Sequence, residues 1–218
     1  MLSHPYQTRL CRFTRDTSGV AFTEFALALP VLLTLGLGGL EVAHYALATQ
    51  ECSQIAMTAA DNASRVRISI DESDVNDVLT GAKLVGSNLG FAANGRIILS
   101  DLEQSTSDTT KQWIRWQRCS GAKNTTSSYG TPNAMSSSTM TAMGPTGNQI
   151  ASAASPTAVM FVEVSYNYQP LISNIWIGGP RVISTTSAFN VRQRTDQTLY
   201  NAQNLSSSQI SNCSNYSA

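Results

Sequence analysis

The chain has 218 residues, which suits one membrane segment and one modest soluble domain. Only 13% of the residues are charged, and serine, threonine and asparagine are abundant, which is typical of a protein outside the cytoplasm. Fourteen basic residues balance fourteen acidic ones, so nothing in the overall charge indicates a nucleic-acid partner.

Residues 1–19 form a polar segment with three arginines against one aspartate, a net charge of +2. We interpret this segment as a leader peptide, and the alternative is a cytoplasmic tail that stays attached. The next segment is apolar. Because arginines precede it and Glu41 and Glu51 follow it, we predict that the N-terminus lies in the cytoplasm.

Residues 20–40 are apolar apart from Glu24, and their number matches the roughly 20 residues that a helix needs to cross a bilayer. We predict a transmembrane helix here, with a kink at Pro30. A carboxylate in this segment is unusual, because an unpaired charge at the bilayer centre costs at least about 2.5 kcal/mol.

The helix is predicted to continue beyond the membrane to about Arg67, giving one helix of nearly 50 residues whose second half is the spine of a soluble domain. The reason is an apolar stripe at spacings of three and four, made by Ala48, Cys52, Ile55, Ala59, Ala63, Val66 and Ile70. Cys52 lies on this stripe, where a reduced and packed thiol is expected.

A second helix is predicted from about Ser73 to Leu84, because Asp71 and the polar residues after it form a helix start. Asp71, Asp74 and Asp77 also raise the possibility of a calcium site. They lack the glycine and the closing glutamate of a calcium-binding loop, so the helix start is the favoured interpretation.

Alternation of apolar and polar residues predicts four strands, over residues 96–102, 111–119, 158–168 and 182–192. The even-numbered residues from Ala158 to Tyr168 fall on one face, and Ile114 and Trp116 are expected to share a face of the second strand. We therefore predict an α+β fold in which an antiparallel sheet of about four strands packs on the long helix.

Residues 41–194 are assigned to this external domain. Within it, residues 120–157 are predicted to be a long polar surface loop, either functional or disordered. Residues 195–218 are predicted to be a polar tail that is loosely ordered.

The four cysteines are Cys11, Cys52, Cys119 and Cys213, with no C-x-x-C pair and no cysteine–histidine cluster, which argues against a metal site. The favoured disulfide joins Cys119 to Cys213, because both lie in polar segments of an oxidising compartment. Connectivity does not follow from sequence alone, so other pairings stay open.

Nothing in the sequence indicates an enzyme or a cofactor. The two histidines are His4 and His44, and no phosphate-binding loop, dinucleotide-binding turn or nucleophile elbow is present. Trp113, Trp116 and Tyr166 are expected to pack in the core rather than to stack on a ligand.

The most informative motif is Gly19–Phe25, at the start of the apolar segment. Cleavage after Gly19 would leave a positive α-amine on Val20, one helical turn from Glu24. In a bundle of such helices, the amine of one subunit and the carboxylate of a neighbour would neutralise each other and set their register. The alternative is a glutamate that simply reaches the membrane interface.

Four features of the N-terminal region resemble TadE-type minor pilins, or pseudopilins, of the Tad (Flp) branch of type IV pilus systems. They are the leader, Gly19, the pair Glu24-Phe25 and the sequence that continues from this pair to Pro30. Segments 114–121 and 161–171 extend the resemblance into the external domain. It implies a pilin-like fold, cleavage between Gly19 and Val20 by an aspartic prepilin peptidase, and an assembly role for Glu24 and Phe25.

The resemblance further implies a low-abundance subunit that serves pilus biogenesis, surface adhesion and biofilm formation. Its partners would be the peptidase, other pilin or pseudopilin subunits and the inner-membrane assembly platform. The expected location is the bacterial inner membrane, with one span, a periplasmic domain and incorporation into an extracellular pilus as a further option.

Two other interpretations stay open. A secreted protein would be cleaved after Ala48, since Ala46-Leu47-Ala48 has the pattern of a signal-peptidase site. A plain single-span membrane protein would keep its N-terminus and bind a partner through its external domain.

Overall fold

The computed structural model of the protein describes residues 18–217. The predicted leader lies outside the described residues up to position 17, and with it lie His4 and Cys11.

The long N-terminal helix is confirmed. Helix α1 spans Ser18–Arg65, a total of 48 residues, and passes through Pro30 without ending. It stops two residues before the expected end at Arg67. In the described part of the chain, one helix is long and apolar enough to cross a membrane, with a mean hydropathy of 2.0 over its most apolar 18 residues.

The two halves of α1 have opposite surroundings. Every residue from Gly19 to Leu40 is exposed except Gly38, which is half-buried. The second half buries one face in the domain core, through Ala48, Cys52, Ile55, Ala56, Ala59, Ala60 and Ala63. Five of these seven residues are alanines, whose small side chains let the helix lie close to the sheet.

Three strands and two short helices follow α1 before the long polar loop, and three strands follow that loop. The helices are α2 (Glu72–Val85) and α3 (Phe91–Asn94), and the strands are β1 (Ile70–Asp71), β2 (Gly95–Gln104), β3 (Gln112–Ser120), β4 (Ala158–Asn167), β5 (Val182–Asn190) and β6 (Leu199–Tyr200). Asp71 caps α2 by accepting a hydrogen bond from the backbone N–H of Ser73, at 3.0 Å.

The predicted four-stranded antiparallel sheet is confirmed, with the strand order β3-β2-β4-β5. The even-numbered residues from Ala158 to Tyr168 are all buried in the cluster that faces α1, as the alternation predicts. The two-residue strands β1 and β6 add a small parallel pair that the sequence did not indicate.

The expectation that Ile114 and Trp116 share a face is wrong. Between the pairs Ser100–Gln117 and Leu102–Ile114, β3 has one residue more than β2, which is a β-bulge. The bulge places Ile114 in the cluster on the far face of the sheet, while Trp116 packs in the cluster that faces α1.

The segment 120–157 has little regular structure, but it is not a simple surface loop. It folds across the face of the sheet opposite α1, where Met143 is fully buried with Phe161. Glu163 on β4 holds the loop by accepting hydrogen bonds from the Ser127 hydroxyl and, at 2.8 Å, from the backbone N–H of Ser128. The loop is therefore the third layer of the domain.

The C-terminal tail is also more ordered than its composition predicts. A disulfide joins Cys119 on β3 to Cys213 in the tail. The fully buried side chain of Arg96 donates hydrogen bonds to the carbonyl oxygens of Cys213 at 2.7 Å and Asn215 at 2.6 Å. A buried guanidinium that binds backbone carbonyls fixes their position, because leaving those donors unpaired would be costly.

Candidate functional site

The predicted processing and assembly residues lie together on the first two turns of α1. Val20 and Phe25 are 55% and 56% exposed, and Gly19 and Glu24 are exposed as well. The ion pairs within the described residues do not include Glu24. A Cβ on Gly19 would meet no described atom outside its own stretch of helix within 4 Å. The motif is therefore presented on a bare helix, free to contact lipid or another molecule.

The described part of α1 begins at Ser18, so the bond between Gly19 and Val20 lies in its first described turn. Both residues of this bond are exposed among the described residues.

Where the apolar half of α1 ends, a buried carboxylate connects the helix to the sheet. Glu41 is fully buried and accepts hydrogen bonds from the Tyr168 hydroxyl at 2.7 Å and from the backbone N–H of Ile172 at 2.8 Å. A weaker bond comes from the N–H of Leu171, at 3.3 Å. Since Tyr168 follows β4 and Leu171 lies in the β4–β5 connection, one side chain joins three parts of the fold.

His44 completes this group. Its Nδ1 lies 2.7 Å from the Tyr168 hydroxyl oxygen. Because the single hydroxyl proton of Tyr168 is donated to the carboxylate of Glu41, the tyrosine oxygen accepts the hydrogen bond and His44 Nδ1 donates it. The histidine is thus occupied in a structural chain of hydrogen bonds, without a nucleophilic serine or cysteine among its hydrogen-bond partners.

Hydrogen bonding keeps Glu41 charged. Burial raises the pKa of this carboxyl, but the hydrogen bonds from the Tyr168 hydroxyl and from the backbone outweigh it and hold the pKa below the ordinary value of 4.5. Burial and the hydrogen bond to Glu41 raise the pKa of Tyr168, so the pair carries one negative charge at neutral pH.

Sequence reasoning missed this role of Glu41, which it used only to orient the membrane segment. The signal that could have found it is its position as the first charge after a long apolar run. The partner Tyr168 is 127 residues away, and pairing at that separation does not follow from local patterns.

The other candidate residues have structural environments. Trp116 and Tyr166 are buried and donate hydrogen bonds to the carbonyl oxygens of Gln197 and Leu89, while Trp113 is half-buried. Cys52 is a buried free thiol, as expected from the apolar stripe. Among the residues that the structure describes, no group of three or more histidine, cysteine or acidic side chains is placed to hold a metal ion.

Comparison with known proteins finds a similarity in the N-terminal region. The family model described as TadE-like protein matches residues 19–61, which are nearly the whole of α1. The resemblance expected from the sequence is thus confirmed over this segment. No curated protein and no solved structure matches the chain.

Proposed function

We propose that this chain, which is TadE-like over residues 19–61, is a structural assembly subunit of a Tad-type pilus, either a minor pilin or a pseudopilin. The observation that carries the proposal is the exposed first half of α1, which projects bare from a folded domain and continues without a break into its spine. Such a helix can sit in a bilayer before assembly and in a bundle of like helices afterwards.

In this role the chain spans the bacterial inner membrane once, with its N-terminus in the cytoplasm and the domain in the periplasm. The arginines of residues 1–19 support that orientation. The Cys119–Cys213 disulfide also fits an oxidising compartment. Its contribution to adhesion and biofilm formation would follow from the pilus that it helps to build.

The proposed processing step is cleavage between Gly19 and Val20 by a prepilin peptidase. Gly19 carries no side chain, and a Cβ at this position would meet no described atom outside its own stretch of helix, which supports access of a peptidase to the bond. Cleavage creates a positive α-amine next to the apolar segment, at a spacing of one turn from Glu24.

Glu24 is proposed to direct assembly by pairing with that amine on a neighbouring subunit, and Phe25 to pack beside it. An unpaired carboxylate in lipid is unfavourable, and a partner of opposite charge in a helical bundle relieves this cost. Partners are therefore other pilin or pseudopilin subunits and the inner-membrane platform that assembles them.

The first experiment determines the N-terminal residue of the protein isolated from its native host. We expect Val20 in the wild type and an uncleaved leader in Gly19→Ala. The matched control is Gly36→Ala, which makes the same change on the same helix in equally open space and should be cleaved normally. Normal cleavage of Gly19→Ala would refute the processing site.

The second experiment separates processing from assembly. Glu24→Gln is expected to be cleaved at Val20 but to give few or no pili by electron microscopy. Asp77→Asn is the control, because it removes one exposed carboxylate from α2 and should leave the pilus count unchanged. Wild-type pilus numbers with Glu24→Gln would refute the assembly role.

The alternatives predict other N-termini. Secretion predicts a chain that begins at Thr49, although Ala48 is fully buried in the middle of α1. A single-span membrane protein with a partner-binding domain predicts an intact Met1.

A further inference from the structure

The connection between β4 and β5, residues 169–181, forms a compact apolar projection beside α1, which we call the hairpin tip. Residues 169–180 contain no charged side chain. Four large apolar side chains of the tip are exposed, namely Leu171, Ile172, Ile175 and Trp176. A group of exposed apolar residues of this size marks an interaction surface.

The tip lies beside the C-terminal end of the apolar half of α1. Trp176 packs on Gly38, where the ring atom Cε3 is 3.1 Å from the position that a Cβ on Gly38 would occupy. This contact explains why Gly38 is half-buried within an otherwise exposed segment. Gly38 precedes Glu41 by three residues, so the tip reaches about 4–5 Å back along the helix from the buried carboxylate.

The hairpin tip is held firmly in this position. Glu41 accepts the backbone hydrogen bond of Ile172, and the Ser173 hydroxyl caps the turn of 3₁₀ helix Asn174–Ile177 at the N–H of Ile175. At the other end, the Arg181 side chain donates a hydrogen bond of 2.9 Å to the carbonyl of Ile177. The tip therefore moves with α1 rather than independently of it.

We propose that the hairpin tip inserts into the interfacial region of the same bilayer that α1 spans, on the side of the domain. The proposal rests on the membrane-spanning role of α1 proposed above. A bilayer that covers residues 20–40 also covers the level of Gly38, and the tip occupies that level. On the helix at the same level, the apolar residues Leu37 and Leu40 are exposed as well.

The composition of the tip fits lipid. Tryptophan is enriched at the boundary between headgroups and acyl chains, where its ring is partly apolar and partly wet. Exposed Arg181 at the base of the tip is placed to remain at the level of the phosphates. The soluble domain then contacts the membrane at two points, α1 and the tip, which fixes its rotation about the helix axis.

The test uses the full chain in vesicles of phosphatidylethanolamine and phosphatidylglycerol. Cys11→Ser removes one reactive thiol, Cys52 is buried, and Cys119 and Cys213 are in a disulfide, so a new cysteine can be labelled with an environment-sensitive fluorophore. Lipids that carry a nitroxide near the headgroup quench labels at shallow positions. Lipids that carry the nitroxide near the end of the acyl chain quench labels at deep positions.

Three labelled sites distinguish the outcomes. We expect Ile175→Cys to be quenched most by the shallow nitroxide and Leu29→Cys, in mid-span, by the deep one. Ile68→Cys should be quenched by neither, because it follows the far end of α1, about 37 Å beyond the span.

Failure of the inference and failure of the proposed function give different results. An unquenched Ile175→Cys label with a quenched Leu29→Cys label would overturn the inference alone. If donor- and acceptor-labelled Ile175→Cys chains then showed energy transfer, the tip would be assigned to contact between copies. An unquenched label at Leu29→Cys would overturn the spanning helix, and the inference with it.

Discussion

The Cys119–Cys213 disulfide allows a quantitative prediction for the stability of the domain. The double variant Cys119→Ala/Cys213→Ala opens a loop whose ends are 94 residues apart in sequence. In the chain-entropy description, closing a loop of that length lowers the entropy of the unfolded chain by about 16 cal/mol/K, or about 4.7 kcal/mol at 25 °C. For a domain of this size, the corresponding fall in Tm is about 10–15 °C.

The assay is urea unfolding of the full chain in detergent micelles, followed by tryptophan fluorescence. Trp116 is buried in the core, so its emission reports the unfolding of the external domain. We expect the free energy of unfolding to fall by about 3–5 kcal/mol in the double variant. Cys11→Ser is the matched control, since it removes a cysteine that does not take part in the disulfide.

A reductant supplies the second arm. It should lower the midpoint of the wild type to that of the double variant and leave the double variant unchanged. A loss of less than about 1 kcal/mol in the double variant would refute the reasoning, because the tail would then be held by its hydrogen bonds alone.

Three further predictions concern single residues. Glu41 has a lowered pKa in the folded state, so the stability that its charge contributes is present at neutral pH and is lost as the pH falls below the ordinary value of 4.5. In Glu41→Gln the urea midpoint should therefore depend less on pH in the acid range than in the wild type, and an equally steep dependence would contradict this. Burial raises the pKa of Cys52 to about 12, so iodoacetamide at neutral pH should modify it in urea but not in the folded protein, as mass spectrometry would detect. Ile68 has a φ of 54°, which is unfavourable for a β-branched residue, so Ile68→Asn should stabilise the domain by about 1 kcal/mol in thermal unfolding, and a lower Tm would count against it.

Local patterns were sufficient to predict most elements of the fold. Helix α1 is long and strongly apolar, and the face of β4 follows from strict alternation, so both predictions depend on neighbours in sequence. The start of α2 at Asp71 is similarly local, because a capping side chain bonds to a backbone group two residues away.

The features that the sequence did not reveal depend on contacts between distant residues. The bulge that turns Trp116 towards α1 arises from its pairing with β2. Burial of Met143 requires an uncovered face of the sheet, and the role of Glu41 requires Tyr168. The proposed processing motif is different, because it consists of neighbouring residues and could be proposed from the sequence without any tertiary contact.

The unbroken path of α1 from the apolar segment into the core has a mechanical consequence. A single helix of 48 residues, about 72 Å long, continues through Pro30 without ending, so a displacement of its apolar half is expected to move the domain as well. A subunit drawn out of the bilayer would carry its domain with it and, if the hairpin tip is inserted as proposed, would pull the tip out of the bilayer in the same movement. The depth of the helix in the bilayer and the height of the domain above the membrane would then change together.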